Sequence, residues 1–437
     1  MRHGLSDDFL RIIFEYRSSQ QVSMAITNVR KSLMENFVPQ NIGLTAITRE
    51  NYIRQHVTEF SNILYNPEPI NPKAIAYIDG TYFSIEKSSN FRTLRHSFSV
   101  QKHKHLIKPT LIVAPDGYIL DIINPYFSDG LNNDAAILNR ELQREGNLLR
   151  EWFEEDDIFV VDRGYRDSIP ILQELGINHK MPSLLPHGQR QLTTEEANDS
   201  RLITKTRWIV ESRNGHLKSV FKFLAQRISI VHASHLGDYL KIAGALLNRY
   251  HPSIDMVEAN AELANNILMR RQQINHLQIR AEAENWHLRR AQWVPVNIAD
   301  VPNFPHLQLN YLKDLTVGTY QIKLAPSYVQ DSILQNPERN EFQLNTLVNE
   351  PSLLHLRIFS RFRNATRYQL WISFENNLEN PISGYYCTCK SGARTLGSCA
   401  HVASFIWYMG YARHHEEVRY PSTALLEIVL DVANRNN

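Results

Sequence analysis

A chain of 437 residues with 43% apolar and 21% charged residues is long enough for two or three domains with proper cores, and its composition excludes wholesale disorder. The net charge of +2 gives no overall basic field, so a polyanionic partner has to be met by a local basic face. No apolar run approaches the length of a membrane span. The first residues, Met1-Arg2-His3-Gly4-Leu5-Ser6, hold no signal-peptide core, so an intracellular protein is expected.

In chain order, Asp7-Asp8 are expected to cap a first helix through Phe9, Leu10, Ile12, Ile13 and Phe14. Ser18-Ser19 cap a second through Val22, Ala25, Ile26, Val29 and Leu33. This segment, 1–45, fits part of a helix-turn-helix or a helical pair packed on the next domain. Pro39 and Gly43 end it, and 46–70 reads as a mixed helical linker.

From 71 onward strand and helix signals alternate. Strands are expected at 74–79, 106–114, 117–124 and 157–162, with Asp116-Gly117 as a hairpin turn. Asn132-Asn133-Asp134 caps a helix from Ala135 to about Glu145, and a helix near 168–175 stops at Gly176. A hairpin followed by crossover helices implies an α/β fold with a mixed sheet. Residues 193–224 read as a helix with an apolar stripe of Val210, Leu217, Phe221 and Leu224, beside a polar edge of Glu211, Asn214, Lys218 and Lys222. Helices are expected to continue over 235–250 and 255–292, until Pro295, Pro302 and Pro305 mark a boundary. An α/β domain is thus placed at 71–250 and a helical connector at 251–345. A small domain at 346–437 carries alternating strands at 354–358 and 368–372, a turn at Asn364-Ala365 and a helix from Val402 to Tyr408.

Three acidic residues stand in distinctive contexts. Asp79 closes the run Ala74-Ile75-Ala76-Tyr77-Ile78 and precedes Gly80-Thr81; Asp162 closes Ile158-Phe159-Val160-Val161 and precedes Arg163-Gly164-Tyr165; Glu211 sits mid-helix. Taken singly, an Asp at a strand end is a turn or cap residue and a helical Glu is solvated surface. Together they match what divalent-ion phosphoryl chemistry needs: hard oxygen donors on rigid elements, holding two ions that activate a nucleophile and neutralise a leaving oxygen. The glycines after Asp79 and Asp162 are read as room for a phosphate backbone. Asp129 and Asp134 are assigned to capping, Asp156 and Asp157 to solvent, and all four are kept outside the site. Arg92, Arg95, Lys102, Lys104 and Lys108 form the densest basic stretch and, with Arg163 and Lys218, are the candidate DNA-phosphate contacts.

All three cysteines fall in Cys387-Thr388-Cys389 and Cys399-Ala400-His401, a CxC-x9-CxH pattern. An odd, clustered set argues against a disulfide framework. Three thiolates and an imidazole suit a closed structural zinc site, with Gly392 and Gly397 letting the loop fold back.

These pieces resemble the DDE superfamily of transposases, in its Harbinger-like and insertion-sequence branch. The resemblance runs over about 70–250, through Tyr77-Ile78-Asp79-Gly80-Thr81, Ser97-Phe98-Ser99-Val100-Gln101-Lys102, Val161-Asp162-Arg163-Gly164-Tyr165 and Val210-Glu211-Ser212-Arg213-Asn214-Gly215-His216-Leu217-Lys218. It implies an RNase H-like catalytic domain in which Asp79, Asp162 and Glu211 bind two Mg²⁺ or Mn²⁺ ions. It also implies a transposase that cleaves double-stranded DNA and transfers the 3′-hydroxyl to target DNA. Nuclear localisation and pairing as a homodimer, with the 251–345 helices as its site, follow from that substrate. The alternative is a domesticated, catalytically silent DNA- or chromatin-binding descendant. The cysteine spacing resembles the SWIM zinc-binding module, in which Cys387, Cys389, Cys399 and His401 hold Zn²⁺. That module also accompanies Mutator-branch transposases, a rival ancestry.

Overall fold

The computed structural model describes residues 1–254, 259–288, 293–301, 303–334, 342–361, 363–376 and 378–422. The chain divides into two compact units, one of residues 1–182 and 202–268, the other of 183–201 and 269–437. Among the described residues no helix is long and apolar enough to cross a membrane.

The first unit is built on a seven-stranded mixed sheet: β1 (Ile75–Gly80), β2 (Phe83–Ser84), β3 (Phe98–Ser99), β4 (Lys104–Val113), β5 (Ile119–Phe127), β6 (Ile158–Val160) and β7 (Asn178–Lys180). β1 is buried from Ile75 to Ile78, as its unbroken apolar run requires of a strand covered on both faces. It runs antiparallel to β4 and parallel to β6, which in turn runs parallel to β7. The β4–β5 hairpin turns at Asp116-Gly117, where Gly117 takes a φ of +85°. The helices Arg49–His56 and Asp134–Gln143 pack Tyr52, Ile137, Leu138 and Leu142 onto β-strand residues Ile78, Ile112 and Phe159.

Two readings of single residues change here. Asp157, expected in solvent, is fully buried; it accepts hydrogen bonds from Arg49 Nη2 at 2.5 Å and Nε at 3.0 Å and from the backbone N–H of Ala74 and Glu154. A carboxylate at the head of β6 thereby fixes the register of β6 against β1. At the N-terminus, the first helix, Asp7–Ile13, is capped by Ser6, with Asp7 and Asp8 in its first turn. Ser18 caps the second, Ser19–Asn36, through the N–H of Gln21. In that second helix Arg30 is ion-paired with Asp238 of the helix Leu236–Tyr250.

The second unit carries an antiparallel five-stranded sheet in the order β12-β11-β10-β9-β8: β8 (Trp293–Val296), β9 (Leu344–Leu347), β10 (Glu350–Ser360), β11 (Arg363–Phe374) and β12 (Ile382–Cys387). Strand pairing continues to Ser360 opposite Arg363, so Asn364 and Ala365, expected in the turn, lie inside β11. The helix Ala400–Gly410 buries Val402, Phe405, Ile406 and Met409 in a core shared with Leu354, Leu356, Leu370 and Ile372. Of the helices expected over 255–292, the described residues hold Ala261–Arg271 and His276–Ala283, the second capped by Asn275; 255–258, 289–292 and Pro302 lie outside the described residues.

Candidate active site and zinc centre

The parallel pairing of β1 with β6 sets the first two carboxylates. Ile75 pairs with Ile158, Ala76 with Phe159 and Tyr77 with Val160. Two residues further along, the same offset carries Asp79 alongside Asp162 at the same end of the sheet. Side chains alternate with period two, so both continue the face of Tyr77 and Val160. Asp162, two residues past the end of β6 and still extended, caps a 3₁₀ turn, Arg163–Ser168, through the N–H of Gly164 at 2.6 Å.

The third carboxylate comes from the helix Thr194–Val220. Arg207, Glu211, Asn214 and Lys218 follow one another at spacings of four, three and four and so share one face. Arg207 Nη2 donates to Asp79 Oδ1 at 3.0 Å while its Nη1 lies 3.8 Å from Glu211 Oε1. Asn214 Nδ2 donates to Asp79 Oδ2 at 2.8 Å, and Lys218 Nζ donates to Thr81 Oγ1 at 3.1 Å. One guanidinium thus bridges Asp79 and Glu211. Burial, opposed by Arg207 and reinforced by Asp162, Asp134 and Glu211, pushes the Asp79 carboxyl up to about 7. Asp79 is the enclosed member, with a side chain 18% exposed, and Glu211 the open one, at 61%.

Arg207 and Asp134 are the two members that sequence reasoning did not place here. Arg207 sits one helical turn before Glu211, a spacing visible in the chain. Asp134 is the first residue of Asp134–Gln143, yet the helix is capped by Asn133, whose side chain accepts from Ala136 N. The Asp134 carboxylate instead turns toward the sheet, with Oδ1 2.8 Å from Lys108 Nζ. A Cβ on Gly80 would lie 2.3 Å from Asp134 Oδ1, and one on Gly164 would lie 2.9 Å from Asp162 Oδ1 and 3.1 Å from Asp134 Oδ2. The two glycines leave room for Asp134, where sequence reasoning had them leave room for a phosphate. Lys108, expected among the phosphate-facing residues, is 2% exposed and directs its ammonium at Asp134. That burial corrects its place in the basic stretch: Arg92, Arg95, Lys102 and Lys104 are exposed, and Lys108 is not. Arg163 is exposed at the head of the 3₁₀ turn.

Residues 78–248 match the family model of the DDE superfamily endonuclease. The matched segment contains Asp79, Asp162 and Glu211, and it supports a transposase- or endonuclease-like function for this part of the chain. No curated protein and no solved structure matches the chain.

The donor set of the matched segment fits the divalent ions that such endonucleases use. Its carboxylate oxygens are hard ligands of the kind Mg²⁺ and Mn²⁺ prefer. Around them the described residues leave buried polar atoms without partners, Asn214 Oδ1, Arg207 Nε and the Tyr165 hydroxyl.

In the second unit Cys387, Cys389, Cys399 and His401 offer ligand atoms that all lie within 4.8 Å of one another, and all four residues are buried. His401 Nδ1 is 3.8 Å from both Cys387 Sγ and Cys399 Sγ. A tetrahedral zinc with ordinary bond lengths sets neighbouring donors roughly 3.5–3.8 Å apart, so the cluster fits that ion. Gly392 is required at the knuckle, because a Cβ there would lie 2.0 Å from Cys387 O. Gln191 Nε2 donates to Cys387 O and Cys389 O at 2.6 and 2.7 Å, and Asn198 Oδ1 accepts from the N–H of Thr395 and Leu396. The segment 191–198 is thereby clipped to the backbone between the ligands.

Proposed function

We propose that the first unit is an RNase H-like DDE catalytic domain and that the protein is a metal-dependent DNA transposase or endonuclease. The observation that carries this reading is the meeting of Asp79, Asp162 and Glu211 at one strand end, with Asp79 and Glu211 bridged by Arg207. In-register parallel strands and one helix face produce that meeting, and a structural ion pair needs only two of the four groups.

Asp79, Asp162 and Glu211 would hold two Mg²⁺ or Mn²⁺ ions. When bound, such a pair supplies Lewis acidity to an attacking oxygen and to the leaving 3′ oxygen of a phosphodiester. Asn214 holds Asp79 in orientation through Oδ2. Arg207 neutralises Asp79 and Glu211 in the ion-free protein, which lets three carboxylates stand together. Lys218, placed at Thr81 and over the Phe83 ring at 5.0 Å, brings a positive charge to the edge of the same strand end. Arg163, Lys102 and the exposed arginines near it supply further contacts to DNA phosphates. The reading extends to a SWIM-type zinc module at Cys387, Cys389, Cys399 and His401, to a nuclear site of action and to a homodimer that pairs two DNA ends.

Nicking of supercoiled plasmid DNA in Mn²⁺ tests the enzyme reading. The unaltered protein is expected to nick, and Asp162→Asn to lose at least about a hundredfold of the rate while binding DNA as before. Equal nicking by both proteins would refute the assignment.

A further inference from the structure

Asp134 is poorly accounted for as a helix-start residue. Asn133 already supplies the cap. An acidic residue in the first turn gains a few tenths to about 1 kcal/mol from the helix dipole, but that gain needs neither a buried lysine nor two glycines. Lys108 is withdrawn from water to meet Asp134 Oδ1, and a single buried ion pair is seldom worth its desolvation. Gly80 and Gly164 follow the two strand-end aspartates closely, and each leaves its Cβ side open to an oxygen of Asp134. Asp134 Oδ2 and Asp162 Oδ1 are therefore no farther apart than the sum of their distances from the Gly164 position, 3.1 and 2.9 Å.

A second observation points to something bound there. Tyr165 is fully buried, and its hydroxyl has no hydrogen-bond partner among the described residues. Burial raises its phenol well above the ordinary value, and the next contributions come from Asp134, Asp79 and Asp162, in that order. A phenol hydroxyl set in the field of three carboxylates, and bonded to none, lacks a partner. Mg²⁺ and Mn²⁺ sites keep several waters, and an ion-bound water is the partner of matching chemistry.

From this geometry we propose that Asp134 is a fourth carboxylate of the divalent-ion cluster, with Oδ1 held by Lys108 and Oδ2 facing Asp162 as an ion ligand. The proposal rests on the function proposed above. It assigns Lys108 to the cluster as the buried cation that holds and orients Asp134, in place of a contact to DNA.

The test is Mn²⁺ binding to the zinc-loaded full chain, measured by calorimetry and by loss of the free-ion electron paramagnetic resonance signal. Four proteins are compared: the unaltered chain, Asp162→Asn, Asp134→Asn, and the double variant Asp134→Asn with Lys108→Met. The double variant removes one negative and one positive charge, so the pocket keeps its net charge and no buried lysine is left unpaired. A fall in its affinity therefore reports a lost ligand and not a changed field or a damaged fold. The expected result is Mn²⁺ binding weakened about tenfold or more in Asp162→Asn, in Asp134→Asn and in the double variant, with unchanged circular dichroism in the last. If Asp162→Asn weakens binding while the double variant binds as the unaltered chain does, the fourth-ligand proposal falls and the site reading stands. If the unaltered chain binds no Mn²⁺, both fall together.

Discussion

In the first unit, carboxylates gather at a strand end that stays open on one side, with Glu211 61% exposed and the guanidinium of Arg207 lying across the acids. In the second, three thiols and an imidazole close on one another, all buried, with backbone clipped around them by Gln191 and Asn198. The first arrangement gathers like charges that the fold must neutralise internally, while the second gathers soft donors whose spacing fits a zinc ion. The first is open to solvent at Glu211; the second is enclosed, with all four of its residues buried.

The largest effect that would sharpen this contrast is loss of zinc. Structural zinc contributes on the order of 10–16 kcal/mol in small zinc-folded peptides, so Cys399→Ala or chelation is expected to abolish the thermal transition of the second unit. Amide exchange should rise first at Leu192, Thr395 and Leu396, whose N–H groups bond to Lys390 O and Asn198 Oδ1. Unchanged protection there would mean that the cluster does not need an ion. Asp162→Asn should do the reverse, abolishing nicking with a melting temperature unchanged by calorimetry.

Acid should separate the units next. His355 is buried between the rings of Trp293 and Trp371, at 4.9 and 5.1 Å, and burial lowers it to about 4. A base held below its ordinary value contributes stability that is present above pH 6.5 and lost as pH falls through about 4. The full loss is on the order of 3 kcal/mol, and His355→Phe should remove the dependence from the second unit's acid titration. Asp79 has the opposite sign. Its carboxyl stays protonated in the fold up to about 7, against 3.8 ordinarily, so its favourable contribution is complete below pH 4 and lost as pH rises through 7. Without added divalent ions, Asp79→Asn should therefore melt higher than the unaltered protein at pH 8, and the difference should vanish near pH 4. A variant that melts lower at pH 8 would show that the Arg207 pair outweighs burial. The smallest effect is expected at Ser18→Ala, about 0.5–1 kcal/mol from the lost cap on Ser19–Asn36.

The same contrast explains what could be read in the chain. Asp79 and Asp162 are legible because each ends an apolar run, and parallel strands paired in register bring such ends together. The β4–β5 hairpin is legible in Asp116-Gly117, whose glycine adopts the positive φ a tight turn needs. Arg207 and Asp134 are not legible as site members, since their roles depend on which face of a helix meets a strand end. Gly80 and Gly164 carried a signal, but without Asp134 in place their open sides read as room for a ligand. β8 and β9 escape because Trp293–Val296 contains Pro295 and Leu344–Leu347 is only four residues long, too short to alternate clearly. Asp157 escapes because burial of a carboxylate depends on Arg49, distant in sequence.

The most direct test of the central claim is an anomalous diffraction map of crystals soaked in Mn²⁺. The predicted result is two peaks roughly 3.5–4 Å apart, bound by oxygens of Asp79, Asp162 and Glu211, with Arg207 moved off Asp79. A map without Mn²⁺ at these carboxylates, and with Arg207 still bridging Asp79 and Glu211, would contradict it.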